Sequence, residues 1–479
     1  MKINKLILNH FRKEYISFIS KEENNQTNKN IDLMKLIYHD LSTLILEIFS
    51  LKKKIVKKKK IVLPRIKILN KLPKAKGNFF YQINRYIKKI FDTGNFYKPK
   101  LFINLENPLT FTPSDLLISY QEKRNKICFT SNLSEWYEKK KNCIKEDDKN
   151  ISESIKVIFE NSLIKFKKKN SKKLSSIFYF NCIFLTSWFR QHKETIEKKK
   201  TPREFWSGTM GNPFNRIFAY VVRKNKGKVT IIDHGTGSGF YNTIEDSLIE
   251  LDWADTFVTF GPSLAKGMKN NARINKTLRL NRNNVTKFLW VPTKSKSKIK
   301  RKKFSNVDIV YVLNQHIENN ANTTDLYSDE FMISFQRKII KELIDKKINF
   351  ALKPHPSSSN KIIKKLSKGL KIKVIKSDFN DILWKKEILV FDTPHTSAFK
   401  DALRIGAPII LFNFPRVKFH DKAFNLLKKR CKVINIDVNF KKDIESKKSI
   451  FNKSLEDSIK LASNKLFEKE YFPINNSSS

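Results

Sequence analysis

Between residues 307 and 413 the chain alternates short apolar runs with amphipathic helical stretches, and this alternation constrains the fold more than any other feature. Strands are expected at 307–313, 349–353, 371–375, 388–391 and 408–413, with helices at 330–344, 360–366, 380–384 and 396–405 between them. Parallel strands need a crossover, and crossover helices cover both faces of the sheet. Continuous apolar runs separated by helices therefore predict a doubly wound parallel sheet. A helix at 421–430, a strand at 432–437 and a helix at 455–468 complete the unit, and residues 475–479 are expected to fray.

A second unit of the same kind precedes it. The apolar stretch 174–189 carries Asn181 and falls short of the ~18–20 residues that span a bilayer, so it reads as a buried strand at 177–185 with its flanks. Strands at 205–209, 228–232 and 256–260, with helices at 212–223 and from Pro262 onward, extend the pattern. Residues 270–307 are polar and lysine-rich and read as a connection. Residues 31–51 carry apolar side chains at helical spacing. Between 61 and 170 the signals are mixed, with strands at 61–68 and 101–105 and helices at 80–91 and 147–166. The expected division is a basic helical N-terminal extension (1–60), a first Rossmann-like domain (61–293), a basic linker (294–306), a second Rossmann-like domain (307–470) and a disordered tail (471–479).

The chain has 479 residues, 40% of them hydrophobic, enough for two cores at the usual ~100–200 residues per domain. Its formal charge of +50 attracts phosphates and anionic lipid headgroups. Lysine is abundant here along with Asn, Ile and Phe, so part of that charge is ordinary solvated surface. Residues 52–60, 165–173 and 295–303 concentrate lysines enough to suit an anionic membrane surface, although solvated loops share that composition. None has the aromatic and basic spacing of a nucleic-acid module, so no nucleic-acid partner is expected. Cys128, Cys143, Cys182 and Cys431 form no C-x-x-C pair, which argues against a disulfide framework or structural zinc. Lys5, His10, Arg12 and Lys13 interrupt any signal-like apolar core at the N-terminus. A cytoplasmic protein is expected, with peripheral association at the inner face of the cytoplasmic membrane left open.

Two polar clusters end apolar runs of the second unit: Leu352-Lys353-Pro354-His355-Pro356 and Phe391-Asp392-Thr393-Pro394-His395-Thr396-Ser397. Each lies between a strand and a helix, so both emerge on the edge where open α/β sheets bind ligands. Lys353 offers a charge, His355 a hydrogen bond or proton, and Thr396 and Ser397 stand where a helix N-terminus aims free N–H groups at an anion. Together they suit a nucleotide phosphate. The plainer alternative is that the prolines stop a strand, His355 is a satisfied loop residue and Ser397 a cap.

In the first unit, Asp233-His234-Gly235-Thr236-Gly237-Ser238-Gly239 follows a strand, and its glycines let the backbone approach a ligand closely. Phe240 stands where a dinucleotide fingerprint needs glycine, which disfavours NAD. His234 or Asp233 suits a general base, with Glu245 and Asp246 as neighbouring alternatives. A locally hydrogen-bonded glycine turn is the other reading. H-E-x-x-H, G-x-x-x-x-G-K-[ST] and G-x-S-x-G are all missing from the sequence, and no D-x-D stands at a strand end. Protein cations would then neutralise a bound phosphate, and Lys353, Arg404 and Arg416 are candidates, although Arg404 and Arg416 could equally be surface charges.

The order of the Asp-His-Gly loop, Lys-Pro-His-Pro, and Asp-Thr-Pro-His-Thr-Ser-Ala-Phe leading to Ala402-Leu403-Arg404-Ile405-Gly406-Ala407-Pro408 resembles GT-B-type transferases. More narrowly it resembles the surface-carbohydrate and capsule biosynthesis transferases related to bacterial polysialyl-, Kdo- and CDP-glycerol glycerophosphotransferases. The resemblance covers about residues 174–437. It implies two Rossmann-like domains facing across a cleft and metal-independent transfer from a CMP-, UDP-, GDP- or CDP-linked donor, with no tightly bound cofactor. The C-terminal domain would hold that donor, and the N-terminal domain a glycan or lipid-linked glycan acceptor. His355, Pro356, Thr396 and Ser397 match positions that contact donor phosphate, and His234 or Asp233 matches the base. Pro394-His395 before Thr396-Ser397 departs from the pattern, and the basic N-terminal region matches no part of it. A nucleotide-sugar epimerase or a glycerophosphotransferase of the same fold is the nearest alternative. A noncatalytic protein binding polyanions or membrane surfaces is the alternative from another class.

Overall fold

The structure is a computed structural model that describes residues 2–24, 30–50, 62–63, 106–111, 114–126, 128–130, 136, 143–233, 238–241, 244–280, 286–294, 302–303, 307–314, 329–355, 360–367, 369–370, 372–377, 379, 382–384, 387–394, 396–415, 418–436 and 451–475. It is an α/β protein with two six-stranded parallel sheets, each carrying its own helices. The expected strands at 61–68 and 101–105 and helix at 80–91 fall almost entirely outside the described residues.

The first sheet contains β1 (Leu109–Thr110), β2 (Phe129–Thr130), β3 (Glu204–Ser207), β4 (Lys228–Ile232), β5 (Thr256–Thr259) and β6 (Lys287–Trp290) in the order β2-β1-β3-β4-β5-β6. Its helices are α1 (Lys2–Asn24), α2 (Ile31–Ser50), α3 (Asp115–Arg124), α4 (Glu146–Lys165), α5 (Ser171–Glu197), α6 (Pro213–Lys224), α7 (Ile244–Leu251) and α8 (Pro262–Ile274). Asn212 caps α6 by accepting from Phe214 N, and proline stands in the first turn of both α6 and α8, where its missing N–H costs nothing. The N-terminal helices bury Ile7, Phe11, Leu36, Leu41 and Ile45 in the same core as Phe159, Phe178, Phe218 and Val229. A buried ion pair between Asp40 of α2 and Arg216 of α6 ties the two layers together.

Two expectations change in this lobe. The apolar stretch 174–189 is not a strand but the middle of α5, packed among α2, α4 and α6. A helix surrounded by other helices is apolar on most of its circumference, so its composition imitates a buried strand. Asn181 fits there because its side chain donates to Ile177 O (2.8 Å) and accepts from Leu63 N (2.8 Å). The polar connection expected from residue 270 begins too early, since α8 runs to Ile274 and β6 completes the sheet. As an edge strand β6 is only half buried, and its sequence is correspondingly mixed.

Two short strands follow, β7 (Thr293–Lys294) and β8 (Lys302–Lys303). The second sheet then uses β9 (Ile309–Val312), β10 (Phe350–Lys353), β11 (Lys373–Val374), β13 (Ile388–Phe391), β14 (Ile409–Asn413) and β15 (Lys432–Asn435), in the order β11-β10-β9-β13-β14-β15. Every residue of β9 and β13 is buried, as strands covered on both faces require. The helices are α9 (Asp329–Asp345), α10 (Asn360–Ser367), α11 (Ser397–Arg404), α12 (Asp421–Arg430), α13 (Asn452–Leu461) and α14 (Leu466–Tyr471). The helix expected at 380–384 is instead β12 (Ile382–Leu383), which pairs with β8. The Trp384 indole donates to Phe379 O (3.0 Å) beside it. The helix expected at 455–468 is split into α13 and α14, with Asn464 Oδ1 accepting from Leu466 N to start the second.

After α14 the chain crosses to the first lobe. β16 (Ile474–Asn475), at the start of the segment expected to fray, pairs with β7. Phe467, Tyr471 and Phe472 surround Phe240, with ring centroids 5.3 to 5.6 Å away. Ser263 Oγ donates to Glu470 (2.6 Å), and His420 N donates to Phe240 O (2.7 Å). Gly261 permits the crossing: a Cβ there would stand 2.4 Å from Tyr471 O. Among the described residues no helix is long and apolar enough to cross a membrane.

Candidate functional site

The strand order of the second sheet reverses between β9 and β13. The chain winds outward through β9, β10 and β11 on one side and through β13, β14 and β15 on the other, so the crevice beyond the ends of β9 and β13 is its topological switch point. Register fixes what emerges there. Lys353 of β10 and Phe391 of β13 both pair with Val312 of β9, so the two chains leave the sheet at the same level. One strand lies between them, and at ~4.8 Å per strand their backbones are about 10 Å apart. The two polar clusters thus share one edge.

Asp392 forms the floor. Its buried carboxylate accepts from Tyr311 Oη (2.5 Å), Gln336 Nε2 (2.6 Å) and Asn314 N (3.3 Å), joining the ends of β9 and β13 to α9. Burial, and next the Asp392 charge, push the Tyr311 hydroxyl well above its ordinary value and keep it a donor. Beyond Asp392, Thr396 caps α11 by accepting from Phe399 N (3.2 Å), which commits its hydroxyl to the helix. Ser397 is exposed in the first turn of α11, on the end where the helix dipole favours an anion.

His355 is half buried just beyond the end of β10, with β9 between it and β13. Burial first, and the Lys353 charge second, lower its pKa below the ordinary 6.5. Near neutral pH it therefore offers a neutral ring with one donor and one acceptor, rather than a cation. Lys353, the candidate charge, is not exposed. It is buried in β10, with Nζ donating to Pro354 O (3.1 Å), so its charge acts from beneath the loop. Arg404 faces the lobe boundary. It ends α11, about 10 Å of helix rise from Ser397, donates to Thr293 Oγ1 and lies over the Phe260 ring across the lobe boundary. Pro356, His395 and Arg416 lie outside the described residues.

In the first lobe, Asp233 follows β4 and is buried, accepting from Thr259 Oγ1 at 3.1 Å. That bond holds the carboxylate against β5. His234, Gly235 and Gly237 lie outside the described residues, as do the side chains of Glu245 and Asp246 on α7. Gly239, the last glycine of that loop, serves packing: its φ is +93°, and a Cβ would stand 2.3 Å from Leu264 O of α8.

The loop after β3 is a feature that sequence reasoning missed. The order of the first sheet changes direction between β1 and β3, and residues 208–212 leave β3 at that point. Glu250 of α7 accepts from Thr209 Oγ1 (2.7 Å) and Met210 N (2.8 Å), while Asn215 Nδ2 donates to Thr209 O (2.8 Å) and Ser207 Oγ (3.1 Å). Glu250 stands some forty residues further along the chain, and no local motif signals the pairing. Lys400 was also missed. It is buried in α11 with Nζ 4.2 Å from the centre of the Phe260 ring, a cation–π contact between the lobes.

A class follows from these observations: an α/β protein with two parallel sheets, whose second sheet presents polar groups at its switch point. No protein-family model matches the chain, and no curated protein sequence matches it.

Proposed function

We propose that the protein is a glycosyltransferase that uses a nucleotide-activated sugar in surface polysaccharide assembly, with its two sheets facing one another across a GT-B-type cleft. The observation that carries this reading is the common register of Lys353 and Phe391 against Val312, which brings His355 and the start of α11 to one edge at the switch point. A diphosphate or monophosphate there would take hydrogen bonds from neutral His355, Ser397 and the free N–H groups of α11, with the buried Lys353 charge beneath. The first lobe would hold the acceptor, with the loop 208–212 held by Glu250 as one wall.

In the reaction, an acceptor hydroxyl oxygen attacks the anomeric carbon and the bond from that carbon to the phosphate oxygen breaks. The electron pair leaves with the nucleotide, and the acceptor proton passes to a base. That base would be His234 or Asp233, the latter held against Thr259, with Glu245 and Asp246 as neighbouring alternatives. Incubation with CMP-, UDP-, GDP- and CDP-linked donors and a glycan acceptor tests the reading, with product mass as the readout. Sugar transfer supports it. Epimerised donor formed without acceptor, or phosphorus retained in the product, assigns the site to one of the two sister chemistries instead.

A further inference from the structure

The N-terminal helices and the α4–α5 connection build a basic, apolar-tipped corner that the glycosyltransferase reading does not use. Helix α1 runs antiparallel to α4, because Lys168 Nζ donates to Asn4 (2.6 Å) while His10 pairs with Ser162 (3.0 Å). The Lys168 ammonium also lies 5.0 Å from the centre of the Phe49 ring, which brings the end of α2 to the same corner. Three large apolar side chains are exposed there: Ile3 at 51%, Leu6 at 44% and Ile164 at 58%. Around them Lys167, Lys169, Lys172 and Lys173 are exposed. No Asp or Glu occurs between residues 1 and 13 or between residues 165 and 189, and the nearest acids along the two helices are Glu14, which pairs with His10, and Glu160.

A solvated lysine face does not require exposed isoleucine and leucine at its centre, and a surface that binds nucleic acid would carry aromatic or hydrogen-bonding groups there. Clustered cations around aliphatic tips match the interface of an anionic bilayer, where lysines meet headgroups and the aliphatic groups enter the acyl boundary. We propose that this corner of α1, α4 and the α4–α5 connection docks the protein on an anionic lipid bilayer. The surface belongs to the first lobe and involves none of the groups assigned to the donor.

The test is co-sedimentation of the full chain with vesicles of pure phosphatidylcholine and of a phosphatidylcholine–phosphatidylglycerol mixture. Binding to the mixture alone is expected. Lys169→Ala/Lys172→Ala/Lys173→Ala should weaken it roughly 100-fold, from the attraction that each cation loses near a charged surface. Ile3→Ser/Leu6→Ser should also weaken it several-fold, while thermal unfolding and donor binding stay unchanged in both variants because all five positions are exposed and remote from the donor site. Wild-type vesicle binding by either variant overturns the proposal. Duplex oligonucleotide binding that matches the vesicle affinity and survives Ile3→Ser/Leu6→Ser also overturns it and assigns the patch to nucleic acid.

Discussion

Tyr311→Phe removes one hydroxyl from the floor of the candidate site and leaves its packing intact. Tyr311, Gln336 and Asp392 are all buried, and the Asp392 carboxylate takes three donors, from Tyr311, Gln336 and Asn314. A hydrogen bond to a charged partner contributes about 1.5–3 kcal/mol, and a buried acceptor that loses one has no water to replace it. For a lobe of ordinary size each kcal/mol shifts the melting temperature by about 2–4 °C, so a loss of about 2 kcal/mol lowers it by about 4–8 °C. Differential scanning calorimetry at neutral pH reads this directly. Gln336→Leu should cost a similar amount. The double variant should lose more than the sum of the two, because both donors serve the same buried carboxylate. A Tyr311→Phe protein that melts within about 1 °C of wild type would show that the hydroxyl does not hold this floor together.

Stability should fall on acidification from pH 7.5 to 5.5. Burial lowers the pKa values of His10, His39, His355 and His420 in the fold, so the unfolded chain takes up protons first as the pH drops through about 6.5. A melting temperature that is flat or rises over that interval contradicts the burial. Gly261→Ala brings a Cβ to 2.4 Å from Tyr471 O and should destabilise by about 1–3 kcal/mol, the usual range for overpacking. Because the backbone there is extended (φ −155°), an unchanged melting temperature would mean that the chain does not cross between the lobes as described.

Much of the second lobe was legible because its strands are buried on both faces. The runs at β9 and β13 are hydrophobic throughout and those at β10 and β14 are so up to their last residue, and Asn360, Thr396 and Asp421 lie at or beside helix starts. The same logic misread α5, since a helix enclosed by helices is as uniformly apolar as a strand, and it overlooked β6, whose edge position removes the apolar signal. For the candidate site, the two polar clusters were visible as strand endings, and their adjacency followed from the alternation. The clamp on Asp392 was not visible, because Tyr311, Gln336 and Asn314 come from elements far away in sequence. Lys353 and Arg404 show the limit of residue type as a guide. Both are cations near the site in sequence, yet one is buried in a strand and the other stands at the far end of α11, held by Thr293.

The central claim is that His355 and the start of α11 hold the phosphate of a nucleotide donor. Calorimetric titration of the wild-type chain and of His355→Ala with CMP, UDP, GDP and CDP measures this most directly. The account predicts that one nucleotide binds the wild type and binds the variant about 10–100-fold more weakly, as the loss of one hydrogen bond to a charged group implies, with both proteins melting at the same temperature. Equal affinity in the two proteins, or no binding of any nucleotide to a folded wild-type chain, contradicts it.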